Sequence, residues 1–75
     1  MIWSRAIEDT IYSIYHRYDI QGNKKVMERL KAICMNELNQ HPSIKDEIIR
    51  TGKENNNTYK IIEYFVIQMA LENVK

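Results

Sequence analysis

The sequence contains very few of the residues that cross-link a small domain or break its helices and strands: one cysteine, one proline and two glycines among 75 residues. Because Cys34 is alone, an intrachain disulfide is excluded, and no cluster of cysteine and histidine has the spacing of a structural zinc site. A chain this short has room for one core and is marginally stable as a monomer. With 44% hydrophobic residues, it is predicted to form a single domain, residues 1–75, that shields the excess apolar surface as a homodimer.

The sequence also lacks a long apolar run and an excess of charge of either sign. The longest apolar stretch, residues 64–71, is interrupted by Gln68 and is far shorter than the roughly 20 residues that span a membrane. A net charge of +1 gives no overall field that attracts nucleic acid or acidic lipid. The scarcity of cysteine and the lack of a leader pattern predict a cytoplasmic protein, and the abundance of Ile, Lys, Asn and Tyr is typical of AT-rich bacterial or phage genes.

Two amphipathic helices are predicted in the first half of the chain. Apolar residues recur at helical steps from Trp3 to Tyr18, which predicts a first helix over that range. Gly22 is expected to take a positive φ in the turn, and Asn23 to cap the next helix. That second helix is predicted from about Lys24 to Asn39, before Pro42, with an apolar stripe of Val26, Leu30, Ile33, Cys34 and Leu38.

A short third helix is expected after Pro42. Ser43 and Asp46 have the spacing of a capping box, with aspartate where glutamate is usual. Gly52 stands where a glycine commonly ends a helix, which predicts a helix of about ten residues. Its apolar side carries Ile44, Ile48 and Ile49.

The segment from Thr58 to Val74 is the most ambiguous in the chain. Residues 59–67 are rich in β-branched and aromatic residues and suit a strand, whereas residues 68–72 are good helix formers. The length and the lack of a second strand favour a helix; a strand paired across a dimer axis is the alternative. The polar linker 53–57 is expected to supply an asparagine N-cap. Such a helix is apolar nearly all round and should be central, reaching the surface at Lys60, Glu63, Gln68 and Glu72. The predicted fold is therefore all-α, with about four helices.

Aromatic residues of the first helix are the candidate partner-binding residues. Tyrosine and tryptophan combine a rigid apolar body with a polar tip, so they often provide the main contacts of protein interfaces. The alternative is that they form a second core face. The four candidates are Trp3, Tyr12, Tyr15 and Tyr18.

A cluster of cations on the second helix suggests an alternative, nucleic-acid binding. Glu28 interrupts the cluster, and Asp46 and Glu47 lie at the start of the third helix, where contacts to DNA would be made. A solvated helix face explains the same pattern. The candidate residues are Lys24, Lys25, Arg29 and Lys31.

No catalytic or cofactor-binding motif is present in the sequence. His16 and His41 lack metal-ligand spacing, and Cys34 falls on an apolar stripe where it is expected to be buried and inert. Glu8 and Asp9 are adjacent, so on a helix they point about 100° apart and do not form an acid–base pair. The sequence therefore predicts a non-enzymatic protein without metal or cofactor, an inhibitor, adaptor or regulatory subunit that binds a partner protein; a DNA-binding transcriptional regulator is the alternative.

Overall fold

A computed structural model describes residues 1–73, which form four α-helices and no strand. Their bounds are Trp3–Arg17 (α1), Lys24–Gln40 (α2), Ser43–Glu54 (α3) and Thr58–Glu72 (α4). The predicted all-α bundle is confirmed, and the strand alternative for residues 59–67 is wrong. The predicted extension of the last helix to Val74 lies outside the described residues. No helix within residues 1–73 is both long and apolar enough to cross a membrane.

The core lies where α4 packs against each of the other three helices, as its apolar sequence predicts. α2 also contacts every other helix, whereas α1 and α3 do not touch. Each helix contributes the side of its circumference on which apolar residues recur at steps of three and four. The most completely buried side chains are Ile7, Ile11, Cys34, Leu38, Ile62 and Val66.

The turn after α1 is made differently from the prediction, because no described glycine has a positive φ. Asp19 takes the left-handed conformation instead, with φ of 51°, which a short polar side chain tolerates. The Ile20 amide then donates to the Tyr15 carbonyl at 3.0 Å, which closes a Schellman motif. The predicted cap at Asn23 is confirmed, since its side chain accepts from the Val26 amide at 2.8 Å.

Both ends of α3 differ from the prediction. Ser43 is the first helical residue and Pro42 precedes it as N-cap, with no side-chain cap bond, so the capping box is wrong. Gly52 lies inside the helix rather than after it, because α3 continues to Glu54. The left-handed residue that ends α3 is Asn56, with φ of 54°.

Gly52 has a packing role in this connection. It is buried, and a Cβ atom placed on it would lie 2.7 Å from the Thr58 Cα atom, so only glycine allows α4 to begin this close to α3. The expected asparagine cap is Asn57, whose side chain accepts from the Lys60 amide at 3.1 Å. The linker is shorter than predicted, because Lys53 and Glu54 are helical.

The apolar stripe predicted for α2 is correct except at its start. Leu30, Cys34 and Leu38 are buried, and Ile33 is half-buried, but Val26 is 47% exposed. Val26 lies two turns before Ile33 on the edge of the stripe rather than at its centre, so the neighbouring helices cover it only in part. This exposed valine contributes to the surface described next.

Candidate interaction surface

The four aromatic residues proposed as partner contacts do not form one cluster. Tyr18 is 56% exposed and Tyr12 is also exposed, whereas Trp3 and Tyr15 are half-buried and pack against the core. Trp3 lies at the start of α1 and Tyr18 directly after its end. Only Tyr15 and Tyr18 line the same depression, so the structure brings together two of the four predicted residues.

That depression is an apolar groove between the C-terminal parts of α1 and α4, with a volume of about 280 Å³. Leu30 of α2 forms part of its wall, and Tyr18, Ile20 and Leu71 are exposed along it. Within residues 1–73, its lining contains no Asp, Glu, Lys, Arg or His side chain. The groove is lined by Ile11, Ile14, Tyr15, Tyr18, Ile20, Leu30, Val66, Ile67, Ala70 and Leu71.

A second groove of about 260 Å³ continues the surface between α2 and α4. It shares Tyr15, Leu30 and Ala70 with the first groove and adds the exposed Val26 and Arg29. Arg29 is the one charged side chain that lines either groove among residues 1–73. We call the two grooves together the apolar surface.

Tyr15 is one of the three residues shared by the two grooves, and the turn after α1 packs closely against its ring. A Cβ atom at Gly22 would overlap the Tyr15 ring. A side chain at position 22 would therefore force the Tyr15 ring to move, so Gly22 matters for space and not for a positive φ. Together with the hydrogen bond from Ile20 to the Tyr15 carbonyl, this close approach fixes the turn that carries Ile20 to the edge of the groove.

Sequence reasoning missed three prominent side chains of the apolar surface. Ile20 lies in the turn between the first two predicted helices, Val26 falls on the predicted core stripe, and Leu71 belongs to the helix that is predicted to be apolar nearly all round. Leu71 is 72% exposed, the highest value among the large hydrophobic side chains of the described residues. One sequence pattern could have indicated an exposed apolar surface: α4 carries more apolar residues around its circumference than one buried face requires.

Glu63 is not a surface residue as predicted, because it is buried beside α1. Arg17 Nη1 lies 3.0 Å from each of its carboxylate oxygens, and Arg17 Nη2 donates to Ser13 Oγ at 3.1 Å. The hydrogen bond and the charge of Glu63 raise the pKa of Arg17. Since both carboxylate oxygens accept hydrogen bonds from a guanidinium, Glu63 is a structural ion-pair partner rather than an available base.

The predicted basic patch is divided by the structure. Lys31 lies 3.4 Å from Glu8 of α1, and Arg29 lines the apolar surface. Lys24 and Lys25 are exposed in the first turn of α2, where the helix dipole disfavours cations. The four residues therefore do not present one continuous cationic face.

The remaining candidates for chemistry are separated from one another. Cys34 is buried, as predicted, and burial raises its pKa to about 11. No group of three or more potential metal ligands occurs within residues 1–73. His41 approaches Glu37 at 4.0 Å on the surface of α2.

No protein-family model, curated protein or solved structure matches this chain.

Proposed function

We propose that this chain is a non-enzymatic module that binds another protein through its apolar surface. The observation that carries the proposal is the apolar groove between α1 and α4, which leaves Tyr18, Ile20 and Leu71 exposed. Continuous apolar patches of this kind are typical of interaction sites, because their cover by a partner removes apolar area from water. The homodimer expected from composition is one form of such binding.

The composition of the groove supports binding rather than chemistry. Ligand pockets and active sites combine an apolar lining with a few convergent polar or titratable groups. Here, in the part of the chain that the structure describes, the tyrosine hydroxyls are the only polar side-chain groups that line the first groove, and Arg29 is the charged group of the second. Tyrosine and arginine are also the residue types enriched among the strongest contacts of protein interfaces.

Site-specific photo-crosslinking in the native host tests the proposal. A photoreactive amino acid replaces Leu71 at the edge of the groove, and the matched control places it at Ser4, an exposed residue at the other end of α1. We expect a discrete protein adduct from position 71 and none from position 4. Addition of Ile20→Glu, which introduces a carboxylate into the groove, should abolish the adduct because the charge must be desolvated on binding.

The mass of the adduct distinguishes a second copy of the chain from a different protein. An adduct of either kind that depends on Ile20 supports the proposed function. Equal labelling from positions 71 and 4, or labelling that survives Ile20→Glu, would contradict it. Circular dichroism of each variant confirms that the helices remain folded, which is expected because Ile20, Leu71 and Ser4 are exposed.

A further inference from the structure

The outward side of α4 carries an apolar stripe that the bundle leaves uncovered. Tyr64, Ile67 and Leu71 follow one another at steps of three and four, which places them on one line along the helix. Tyr64 and Leu71 are more than half exposed, and Ile67 is half-buried. At the start of the stripe, the Lys60 ammonium lies 5.7 Å from the centre of the Tyr64 ring.

A stripe with alternating steps of three and four is the pattern by which two helices pack together. These steps average 3.5 residues, so the side chains stay in line and insert as knobs between side chains of a facing helix. The opposite side of α4 already packs in the core through Ile62, Val66 and Met69. Apolar residues on both sides of a helix are typical of one that is covered on both sides.

We infer that the apolar surface binds a second copy of the same chain, with the two α4 helices antiparallel about a twofold axis near residue 69. This inference rests on the proposed function, because it names the occupant of the groove. In this arrangement Leu71 of one copy lies opposite Ile67 of the other, and the same contact is repeated across the axis.

The position of Leu71 beside the groove makes this arrangement self-complementary. Ile67 and Leu71 both belong to the groove lining, and Leu71 is its most exposed member. An antiparallel partner helix therefore places its own Leu71 next to Ile67, at the groove. The projecting side chain, Leu71, and the groove at Ile67 that receives it lie side by side on one chain. A twofold interface requires such an arrangement, because each copy presents the same surface to the other.

The charge pattern beside the stripe also fits a second copy. In an antiparallel twofold pair, the flanking residues near the axis meet their own counterparts, so a charge there would face a like charge. The flanking residues at this level are Gln68 and Ala70, both uncharged. Glu72 lies further around α4 from the stripe than Gln68 does, and it accepts a hydrogen bond from Gln68 at 3.4 Å. The net charge of +1 adds little repulsion between copies.

Sedimentation equilibrium of the full chain is the first test. We expect a mass of twice 9.0 kDa at high micromolar concentration. Leu71→Glu should weaken association by about tenfold for each of the two repeated contacts, because a carboxylate must be desolvated in each. Ser4→Glu introduces the same charge at an exposed site in the first turn of α1, outside the lining of both grooves, and should leave the mass unchanged.

Chemical crosslinking gives a second test that depends on proximity rather than on a destabilising charge. Gln68→Cys places an exposed thiol beside the predicted axis, and a short bis-maleimide should link two copies. Ser4→Cys is the control and should remain unlinked. Cys34 is buried, so it should not react in the folded chain.

A monomeric mass at all concentrations, an association unaffected by Leu71→Glu, or equal crosslinking from positions 68 and 4 would each overturn the inference. A monomer that still forms an Ile20-dependent adduct with a different protein would overturn the second copy as occupant while supporting the proposed function. A monomer that forms no such adduct would contradict both.

Discussion

Arg17 Nη1 lies 3.0 Å from both carboxylate oxygens of Glu63 and joins the C-terminal turn of α1 to the first half of α4. The two partners differ in environment, because the Arg17 side chain is 47% exposed and that of Glu63 only 8%. An unpaired buried charge is costly, whereas an unpaired charge at the surface is hydrated. The buried Glu63 carboxylate therefore depends on Arg17 for the compensation of its charge, whereas the exposed Arg17 does not depend on Glu63 in the same way.

This asymmetry predicts that Arg17→Met destabilises the fold more than Glu63→Met does. Loss of Arg17 leaves the Glu63 carboxylate buried without its cation, whereas loss of Glu63 leaves Arg17 free to turn towards water. The double variant should be more stable than Arg17→Met alone, because it removes the buried charge as well. Urea denaturation midpoints of the four proteins measure this order, and additive effects of the two substitutions would contradict it.

The two helix starts in the second half of the chain provide a matched pair. Asn57 accepts a hydrogen bond from the Lys60 amide, whereas Ser43 makes no cap bond. Asn57→Ala should lower the free energy of unfolding by about 1 kcal/mol. Ser43→Ala should change it by less than about 0.5 kcal/mol. A larger loss at Ser43 than at Asn57, in the same denaturation experiment, would show that the capping box forms after all.

The sequence predicted those features that depend on neighbours along one helix. Helical periodicity located all four helices, and Asn23 and Asn57 cap as asparagines do before a helix. The errors concern what lies opposite a residue in space. Gly22 and Gly52 both resembled glycines that end helices, but they provide space for Tyr15 and Thr58. Nothing in the local sequence indicates which side chain will pack there.

The candidate site was predicted only in part for the same reason. Tyr15 and Tyr18 line the groove, whereas Tyr12 and Trp3 lie elsewhere on α1. Periodicity gives the angle of a residue around its own helix, but exposure depends on which neighbours cover that angle. Glu63 is consequently buried by α1, and Val26 is exposed beyond its neighbours, each opposite to prediction.

Gly52→Ala should destabilise the chain although alanine is the better helix former. The gain in helix propensity is about 1 kcal/mol, but the added Cβ atom would meet the backbone of Thr58 at 2.7 Å. Backbone cannot rotate away as a side chain can, so we expect a net loss of about 1–3 kcal/mol. Lys53→Ala, at the next and exposed position, should change stability by less than about 0.5 kcal/mol. A stabilised Gly52→Ala variant would show that α3 and α4 can separate without cost.

Cys34 should make the stability of the chain depend on pH in the alkaline range. Burial raises the pKa of its thiol from 9.0 to about 11. The unfolded chain therefore loses this proton first, and the stabilising contribution is present in full below pH 9 and lost as the pH rises towards 11. The loss amounts to roughly 2–3 kcal/mol. Cys34→Ala provides the background from other titrating groups, and parallel curves for the two proteins between pH 9 and 11 would contradict the prediction.

The DNA-binding alternative predicts that the affinity for duplex DNA falls steeply as the salt concentration rises. The arrangement of the cations does not favour such binding. Lys31 is paired with Glu8, which leaves Lys24, Lys25 and Arg29 as potential phosphate contacts. Three such contacts would reduce affinity about 40-fold between roughly 50 and 200 mM salt, because each releases counterions from the duplex. We expect no retention of duplex DNA with this dependence at low salt.

A matched loss of charge identifies any binding that does occur. Alanine substitutions at Lys24, Lys25 and Arg29 remove three exposed cations from α2, and a control removes the exposed Arg5, Lys53 and Lys60 from the other helices. Weak attraction to the overall charge should respond equally to both sets, since salt screens exposed charges without regard to position. Salt-dependent retention lost only with the α2 set would establish the basic-patch hypothesis and show that α2, rather than the apolar groove, carries the function.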